Sequence, residues 1–330
     1  MAEVSVLVAV YNAEPFLPKC LDSLLGQTFR DIQIICIDDA STDGSLQLLH
    51  DYASRDPRIE VLHLNENHGQ AFARNKGLEV ARGKYTCFVD ADDWLSNDAI
   101  AQAVDVFKTY EQTDSVLFQV DIIHPDNVER YPLPHFDMLT GNDAFTKSLN
   151  WQIHGVYMVR TSLHRRFPYD DTCRWFSDDN TTRLHYLFSR EVRLCNGVYH
   201  YFQHPSSTSH AISVNRFDRL KAGESLKSQL QSVGASQTVI AQWEEELMLV
   251  LVECYRFYLM EGRQLSATDR QYGLSEMHRV WQTIDRSLLT SRRVKKFGYR
   301  PTPFWWMFRL QEWLYFTLRA FSRSHLLLFV

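Results

Sequence analysis

The 330-residue chain lacks any run of about 18 apolar residues, the length that a membrane-spanning helix requires. Its six cysteines form no CxxC pair, and Cys36 and Cys87 lie inside apolar, strand-like runs. This usage favours buried free thiols in a reducing compartment over a disulfide framework or a zinc site. No basic segment followed by an apolar one opens the sequence, so we expect no secretory signal and a cytoplasmic location.

Acidic residues outnumber basic ones, and the net charge of the whole chain is −5. This mild acidity argues against nucleic acid as the main partner. The sequence also lacks a GxGxxG motif, which disfavours a dinucleotide-binding dehydrogenase. The exception is residues 291–330, which carry eight Lys and Arg and one Glu, a net +7 that leaves −12 for the rest.

Over residues 1–125, nearly continuous apolar runs alternate with segments of helical spacing. The predicted strands are Val4–Val10, Ile32–Ile37, Ile59–Leu64, Tyr85–Val89 and Ser115–Ile123. The predicted helices are Phe16–Leu25, Leu46–Tyr52, Gln70–Ala81 and Asn97–Tyr110. This alternation predicts an α/β fold with a Rossmann-like, mostly parallel sheet that carries helices on both faces.

Later parts of the chain have other patterns. A polar, proline-bearing break spans Pro125–Pro134, the pattern is irregular to about His210, and helical periodicity follows. We therefore expect a first domain with a change of role near residue 125, then a helical extension, then a basic aromatic tail. Their expected bounds are 1–212 (divided into 1–125 and 126–212), 213–290 and 291–330.

Three carboxylates, Asp90, Asp92 and Asp93, directly follow the predicted strand Tyr85–Val89. Acidic side chains crowded at the carboxyl end of a strand repel one another unless a cation lies between them. Hard oxygen ligands suit Mg²⁺ or Mn²⁺, which commonly bridge to substrate phosphates. The sequence therefore predicts a metal and phosphate site, with an acidic turn before a capped helix as the alternative.

Two further segments follow the first and second strands. Tyr11, within Val10–Glu14, offers an aromatic face on which a nucleobase can stack, although an ordinary strand-to-helix turn is the alternative. Asp39, within Asp38–Gly44, can accept a hydrogen bond from a base imide or a ribose hydroxyl. Helix capping is the alternative there, and it explains the adjacent aspartates less well.

The segment after the third strand, Asn67–Gly77, opens a helix at Gly69 and carries Arg74 and Lys76. Free N–H groups at a helix start favour an anion, and the two cations can reach diphosphate oxygens; routine charge on a solvated helix is the alternative. Ligands bind at the carboxyl edge of an open α/β sheet, and all four segments would face that edge. Their joint placement predicts a nucleotide-binding active site.

The order and spacing of these segments resemble the signature of family 2 glycosyltransferases with the GT-A fold. The residues that carry the resemblance are Ser5–Asn12, Gln27–Phe29, Asp38–Gly44, Ala73–Gly77 and Phe88–Trp94. The resemblance is specific over about residues 1–125 and continues more loosely to about residue 210. It implies an inverting transfer of a sugar from a nucleotide diphospho-sugar, with a uridine donor expected by analogy, to an acceptor hydroxyl in surface glycan synthesis.

The resemblance also implies roles for individual residues. Tyr11 and Asp39 should contact the base. Asp92 should contact the ribose or a divalent Mn²⁺ or Mg²⁺, and Asp90 and Asp93 should complete the metal and diphosphate site. The full set expected to bind the nucleotide-sugar is Val10, Tyr11, Asn12, Glu14, Asp39, Arg74, Asn75 and Asp92.

Inversion needs a general base on the face opposite the leaving diphosphate. The family places this aspartate in an acidic pair beyond the metal motif, and the match here lies within Trp175–Asn180. We expect Asp179 to act as the base and Asp178 to contact sugar hydroxyls. The alternative is that the pair only caps a helix.

Residues His200–His210 resemble the family's last core segment, a tyrosine-bearing strand followed by a serine-rich loop. Such a loop can fold over the diphosphate as a lid. His204 or His210 is a candidate third metal ligand, because imidazole also serves Mn²⁺. An ordinary packed or surface histidine is the alternative at each position.

The tail joins the basic run Arg292–Lys296 to the aromatic run Phe304–Phe316. On a helix from about Pro303, charged residues including Glu312 fall on one side, and the rest is a wide apolar face. Basic residues beside Trp and Phe predict an interfacial helix at the inner face of the cytoplasmic membrane, where a lipid-linked acceptor would lie. A helix docked on the protein itself or in a homodimer is the alternative.

Two other functions fit parts of the sequence. Asp90-Ala91-Asp92 is similar to the DxD of phosphatases with an aspartate nucleophile, but that motif belongs on the first strand, and here it follows the fourth. A catalytically silent nucleotide-sugar-binding or scaffold protein could have the same fold. Such a protein need not keep its acidic residues, yet Asp90, Asp92, Asp93 and Asp179 are all present.

Overall fold

The structure is a computed structural model that describes residues 2–204, 212–290, 292–295 and 303–326. Its strands are β1 (Val4–Val10), β2 (Ile32–Asp38), β3 (Ile59–His63), β4 (Tyr85–Phe88), β5 (Trp94–Leu95), β6 (Thr113–Ile123), β7 (Val128–Arg130), β8 (Tyr157–Arg160) and β9 (Glu191–Phe202). Its helices are α1 (Leu17–Leu25), α2 (Ser45–Arg55), α3 (Gln70–Val80), α4 (Ala99–Thr109), α5 (Gly141–Leu149), α6 (Thr161–Arg166), α7 (Asp178–Phe188), α8 (Asp218–Ser232), α9 (Gln237–Met260), α10 (Ala267–Thr283) and α11 (Trp305–Leu326). Every element predicted over residues 1–125 is observed, with small shifts at its ends.

Within the described residues, nine strands form one sheet in the order β3-β2-β1-β4-β8-β6-β9-β5, with β7 paired to β6 at the side. The first four strands pair in parallel. Beyond β4 the pairing is mixed, since β8 is antiparallel to both β4 and β6, while β9 is parallel to β6. The α/β prediction is confirmed, but β8, antiparallel to both of its neighbours, separates the parallel strands β1–β4 from the parallel pair β6 and β9.

Side chains alternate between the two faces of a strand, and β1 is buried on both of its faces. Val4, Val6 and Val8 of β1 lie in one core with side chains of α1 and α4, whereas Leu7 lies in a second core with side chains of α3. Helices on both faces leave the strand ends as the accessible edge. The segments after β1, β2 and β4 therefore meet there.

The region after residue 126, which has an irregular sequence pattern, folds into α5, β8, α6, α7 and β9. A buried polar network attaches α7 to the sheet. His185 Nδ1 lies 2.5 Å from the Tyr157 hydroxyl and His185 Nε2 lies 2.8 Å from the Phe167 carbonyl oxygen, so Nε2 carries the proton. His164 packs edge-on against His185 and is hydrogen-bonded to Thr86 Oγ1 at 2.8 Å. This network fixes the position of α7.

Residues 211–330 form a second compact unit, separate from the first unit, residues 1–210. Its core is built on α9, whose Leu247 and Leu251 are fully buried. Gly273 of α10 permits a close approach, because a Cβ there would lie 2.2 Å from the Phe217 ring. The helical C-terminal region expected from the sequence is therefore observed.

The tail helix α11 packs on the core of this second unit through Phe308, which is 1% exposed. Glu312, one turn later, is also buried, although the sequence pattern placed it on the charged side of the helix. The other face of α11 is apolar and exposed, and it consists of Trp306, Leu310, Trp313, Leu314 and Leu318. Among the described residues, we find no helix with the length and hydropathy needed to cross a bilayer.

Stability should depend on pH through His185. Burial lowers the pKa of His185 to about 4, so between that value and the ordinary one the unfolded chain binds more protons than the folded protein. The stabilisation is complete above about pH 6.5 and is lost as the pH falls toward 4. The free energy of unfolding therefore falls between neutral pH and pH 5. We expect His185→Gln to make this fall smaller by about 2 kcal/mol, measured by urea unfolding at both pH values.

The matched control is His50→Gln, because His50 is an exposed histidine of α2. This variant should keep the pH dependence of the wild type. An unchanged pH dependence in His185→Gln would contradict the assignment of the loss to the buried network.

Candidate active site

The loops after β1 and β2 are hydrogen-bonded to each other. Asn12 Oδ1 accepts from the backbone N–H of Thr42 at 2.7 Å, and Glu14 Oε2 accepts from that of Gly44 at 2.9 Å. Asn12 has a φ of 50°, a left-handed conformation that asparagine adopts more readily than most residues. These two side chains shape the rim of the site, and their contact with a nucleotide stays a prediction.

Tyr11 and Asp39 lie on this rim in different environments. The Tyr11 side chain is 49% exposed, whereas Asp39 is almost fully buried. The Asp39 carboxylate accepts from the backbone N–H groups of His68 (2.9 Å) and Gly69 (2.7 Å), and the Asp39 N–H donates to the carbonyl oxygen of buried Val10. Asp39 therefore joins β1, β2 and the start of α3. A base N–H would be an additional donor, for which a carboxylate has the capacity.

Asp90, after β4, is paired with a buried arginine. Arg74 Nη2 lies 2.5 Å from Asp90 Oδ1, and the Arg74 side chain is only 1% exposed. The guanidinium lies over the rings of Phe88 (3.9 Å) and Tyr169 (5.2 Å), and its Nε and Nη1 have no hydrogen-bond partner among the described residues. This placement differs from the predicted contact with diphosphate, because burial directs the charge of Arg74 toward Asp90.

Asp93 points into the protein and is 1% exposed. Its Oδ2 accepts from the Tyr199 hydroxyl at 2.6 Å, and its Oδ1 accepts from the Phe202 N–H at 2.8 Å. Burial, and then the charges of Asp90 and Asp92, raise the pKa of Asp93 to about 9. Asp93 therefore attaches the turn after β4 to β9. Both carboxylate oxygens face donors of β9, and the predicted role of Asp93 in a metal and diphosphate site stays a prediction.

Asp92 faces outward, with a side chain that is 35% exposed. Its Oδ2 lies 2.9 Å from His204 Nε2, and the His204 ring stacks on Phe16 with centroids 4.5 Å apart. The predicted cluster of Asp90, Asp92 and Asp93 with His204 is not assembled: over the described residues, no three His, Cys, Asp or Glu side chains converge on one metal position. Asp92 and His204 still fit a divalent cation, since such ions take few protein ligands and complete their shell with water and substrate phosphates.

The acidic pair of the predicted catalytic segment opens α7. Asp178 and Asp179 lie in the first helical turn, where the helix dipole favours carboxylates, while Ser177 occupies the N-cap. Asp179 is 32% exposed, and its carboxylate lies 3.9 Å from Arg183. Burial raises the pKa of Asp90 to about 6, and the charge of Asp178 adds to this effect. The start of α7 is therefore within electrostatic reach of the edge of the sheet.

The segment that leads into α7 is held against the start of α3. Arg174 donates to Asn67 Oδ1, and a Cβ at Gly69, where φ is 92°, would lie 3.1 Å from the Arg174 side chain. Asn75, expected to bind the nucleotide-sugar, exchanges two hydrogen bonds with the backbone of Tyr169, at 2.9 and 2.8 Å. These contacts position the acidic pair, and the donor contact of Asn75 stays a prediction.

Sequence reasoning assigned no role to Tyr199. Its hydroxyl accepts from the Asp90 N–H at 3.1 Å and donates to Asp93, so it organises the acidic tract from β9. The alternation of inward and outward residues along that strand is the signal that could have singled it out. Lys76, predicted to reach the diphosphate, instead pairs with Glu79 on α3. His210 and the serine-rich loop lie outside the described residues.

The arrangement of the strand-end loops has a counterpart in known proteins. The family model described as Glycosyl transferase family 2 matches residues 5–173, more than half of the chain. The protein therefore belongs to glycosyl transferase family 2, and its first unit has the GT-A fold. Membership of this family decides against the phosphatase interpretation of Asp90-Ala91-Asp92.

Individual relatives extend this result. Glycosyltransferase GlyG from Streptococcus pneumoniae serotype 4 is 39% identical over 211 residues, which are 58% of this chain and 68% of GlyG. Uncharacterized glycosyltransferase EpsJ from Bacillus subtilis is 50% identical over 94 residues, only 28% of this chain and 27% of EpsJ. The solved structure of S. aureus TarS 1–349 in complex with UDP-GlcNAc has a TM-score of 0.67 at 20% identity, covering 87% of this chain and 83% of that one. At this identity the likeness to TarS establishes the fold.

Neighbouring aspartates should respond differently to substitution. Asp93→Ala leaves the Tyr199 hydroxyl and the Phe202 N–H without their acceptor, and we expect it to lower the free energy of unfolding by about 1–3 kcal/mol. Asp92→Ala removes an outward-facing carboxylate and should change it by less than about 0.5 kcal/mol. Urea unfolding of both variants measures the difference. Equal losses would contradict the inward assignment of Asp93.

Proposed function

We propose that this protein is an inverting glycosyltransferase that moves a sugar from a UDP-sugar to a hydroxyl group of a surface glycan. The observation that carries the proposal is the meeting of two sets of residues. Tyr11, Asp39 and Asp92 follow β1, β2 and β4 at one edge of the sheet. Asp178–Asp179 open α7, and the segment before them is held against the start of α3 through Arg174 and Asn67. Family membership and the likeness to a UDP-GlcNAc complex of TarS support the choice of donor class.

On the donor side, the exposed Tyr11 ring stacks on the base, and Asp39 accepts a hydrogen bond from it. Asp92 contacts the ribose, and together with His204 it would hold Mn²⁺ or Mg²⁺. A divalent ion bound there neutralises the charge of the departing diphosphate. Arg74 keeps the Asp90 carboxylate ionised and in place, which maintains the shape of the strand end.

On the acceptor side, Asp179 takes the proton of the attacking hydroxyl as the new glycosidic bond forms. Asp179 lies in the first turn of α7, where the helix dipole stabilises a negative charge, and its side chain is 32% exposed. Asp178 orients sugar hydroxyls beside it. The competing function, a silent nucleotide-sugar-binding or scaffold protein, predicts donor binding without turnover.

Replacement of the proposed base should separate chemistry from binding. Asp179→Asn keeps the size of the side chain but cannot accept a proton, so we expect kcat to fall by about 10²–10⁴-fold, with the Kd for UDP unchanged. The rate is measured as UDP release from UDP-sugars in the presence of Mn²⁺. The control is Asp171→Asn, an exposed aspartate of the preceding segment. Full activity in Asp179→Asn would contradict the assignment of the base.

We also propose that the exposed face of α11 contacts an anionic membrane, where a lipid-linked acceptor would be found. The face combines Trp306, Leu310 and Trp313, each at least 48% exposed, in a segment with a net charge of +7. Aromatic and apolar side chains beside basic ones suit the interface of a bilayer that carries negative headgroups. A self-associating face is the competing explanation.

Vesicle sedimentation tests the membrane contact. We expect the intact protein to pellet with phosphatidylcholine vesicles that contain phosphatidylglycerol. Trp313→Glu should reduce the bound fraction about tenfold, since a charge replaces an exposed ring that would insert into the bilayer. Val128→Glu, an exposed apolar position in the first unit, is the control and should bind as the wild type does. Equal sedimentation of the intact protein and of a chain lacking residues 291–330 would contradict the proposal.

A further inference from the structure

Trp151, between α5 and β8, is an exposed indole to which the proposed chemistry assigns no role. Its side chain is 49% exposed. Its backbone has a φ of 58°, an unusual conformation for a bulky residue that costs free energy. Such a conformation persists only where the surrounding structure holds it in place, and the contacts of Trp151 show how this is done.

Two hydrogen bonds fix the backbone of Trp151. Its N–H donates to the Ser148 carbonyl oxygen at 3.4 Å, and its own carbonyl oxygen accepts from the Tyr131 hydroxyl. Tyr131 in turn packs edge-on against buried His154, with ring centroids 5.1 Å apart. The indole is therefore presented to solvent from an anchored backbone.

The packing of α5 on α7 places the end of α5, which Trp151 follows, toward the start of α7, where Asp179 lies. Gly141, at the start of α5, approaches the end of α7 so closely that a Cβ would lie 2.5 Å from the Ser189 carbonyl oxygen. Since α5 and α7 pack along each other, the end of α5 lies toward the start of α7. A Cβ at Gly155 would lie 3.2 Å from Thr182 Oγ1, so Gly155 lies against Thr182. Thr182 lies one turn after Asp179 on the same side of the helix.

We propose that Trp151 is a stacking platform for a pyranose ring of the acceptor glycan, a subsite that rests on the transferase function proposed above. A pyranose has a face of C–H bonds, which packs on an indole, and a rim of hydroxyl groups. In the same segment as Trp151, Lys147 Nζ donates to Gln152 Oε1 at 3.2 Å, which leaves further Lys147 N–H groups and the Gln152 amide as donors to those hydroxyls. An aromatic face bordered by such donors fits a carbohydrate better than an apolar partner.

Saturation-transfer NMR with methyl β-glucoside, methyl β-galactoside and methyl N-acetyl-β-glucosaminide tests the platform directly. We expect transfer to the ring C–H protons of at least one glycoside in the wild type and in Trp151→Phe, and its loss in Trp151→Ala. Tyr110→Ala is the matched control, because Tyr110 is a similarly exposed aromatic residue, 44% against 49%. No transfer in the wild type, or full transfer in Trp151→Ala, would overturn the proposal.

Kinetics separate this proposal from the proposed function. In Trp151→Ala, we expect the KM for the glycoside acceptor to rise about tenfold, while hydrolysis of the UDP-sugar by water and the Kd for UDP keep their wild-type values. If no UDP-sugar is turned over at all, the transferase function fails, and the NMR result still decides whether Trp151 binds sugars. A parallel loss of donor binding in Trp151→Ala would also overturn the assignment to the acceptor.

Discussion

The candidate site depends on one constraint, the crowding of partly buried negative charge at the end of β4. The tract after this strand holds three carboxylates that repel one another, and one of them, Asp93, is buried. Each carboxylate has a different environment. Buried Arg74 faces Asp90, and donors of β9 bind the carboxylate of Asp93. Asp92 faces outward beside His204. Because the first two are stabilised by the protein itself, Asp92 is left as the carboxylate with which a ligand can interact.

Much of the first half of the fold follows from local pattern. Continuous apolar runs such as Val4–Val10 are long enough and β-branched enough to specify buried strands, and the polar segments after them then meet at one edge. The pattern fails between α5 and β9, where α7 is attached by histidines and tyrosines that show no amphipathic period. Antiparallel β8, which separates β4 from β6, could not be read from alternation either, since its pairing is set by distant strands.

The same limit applies to the site. Composition and spacing identify the acidic tract, but they cannot tell which of two adjacent aspartates points inward. The inward orientation of Asp93 depends on its hydrogen bond with Tyr199, which lies more than a hundred residues later. Arg74 shows a similar limit. Its charge suggested a contact with diphosphate, whereas the burial that turns it toward Asp90 depends on the rings of Phe88 and Tyr169 from other segments.

We propose that the strand-end edge of the sheet binds a nucleoside diphosphate through Asp92. The most direct measurement is the melting temperature with UDP, GDP, CMP or dTDP, each with and without Mn²⁺, since a ligand of the folded state raises it. We expect the melting temperature to rise with UDP, and this rise should require Mn²⁺ and be absent in Asp92→Ala. A well-folded protein whose melting temperature none of these nucleotides raises would contradict it.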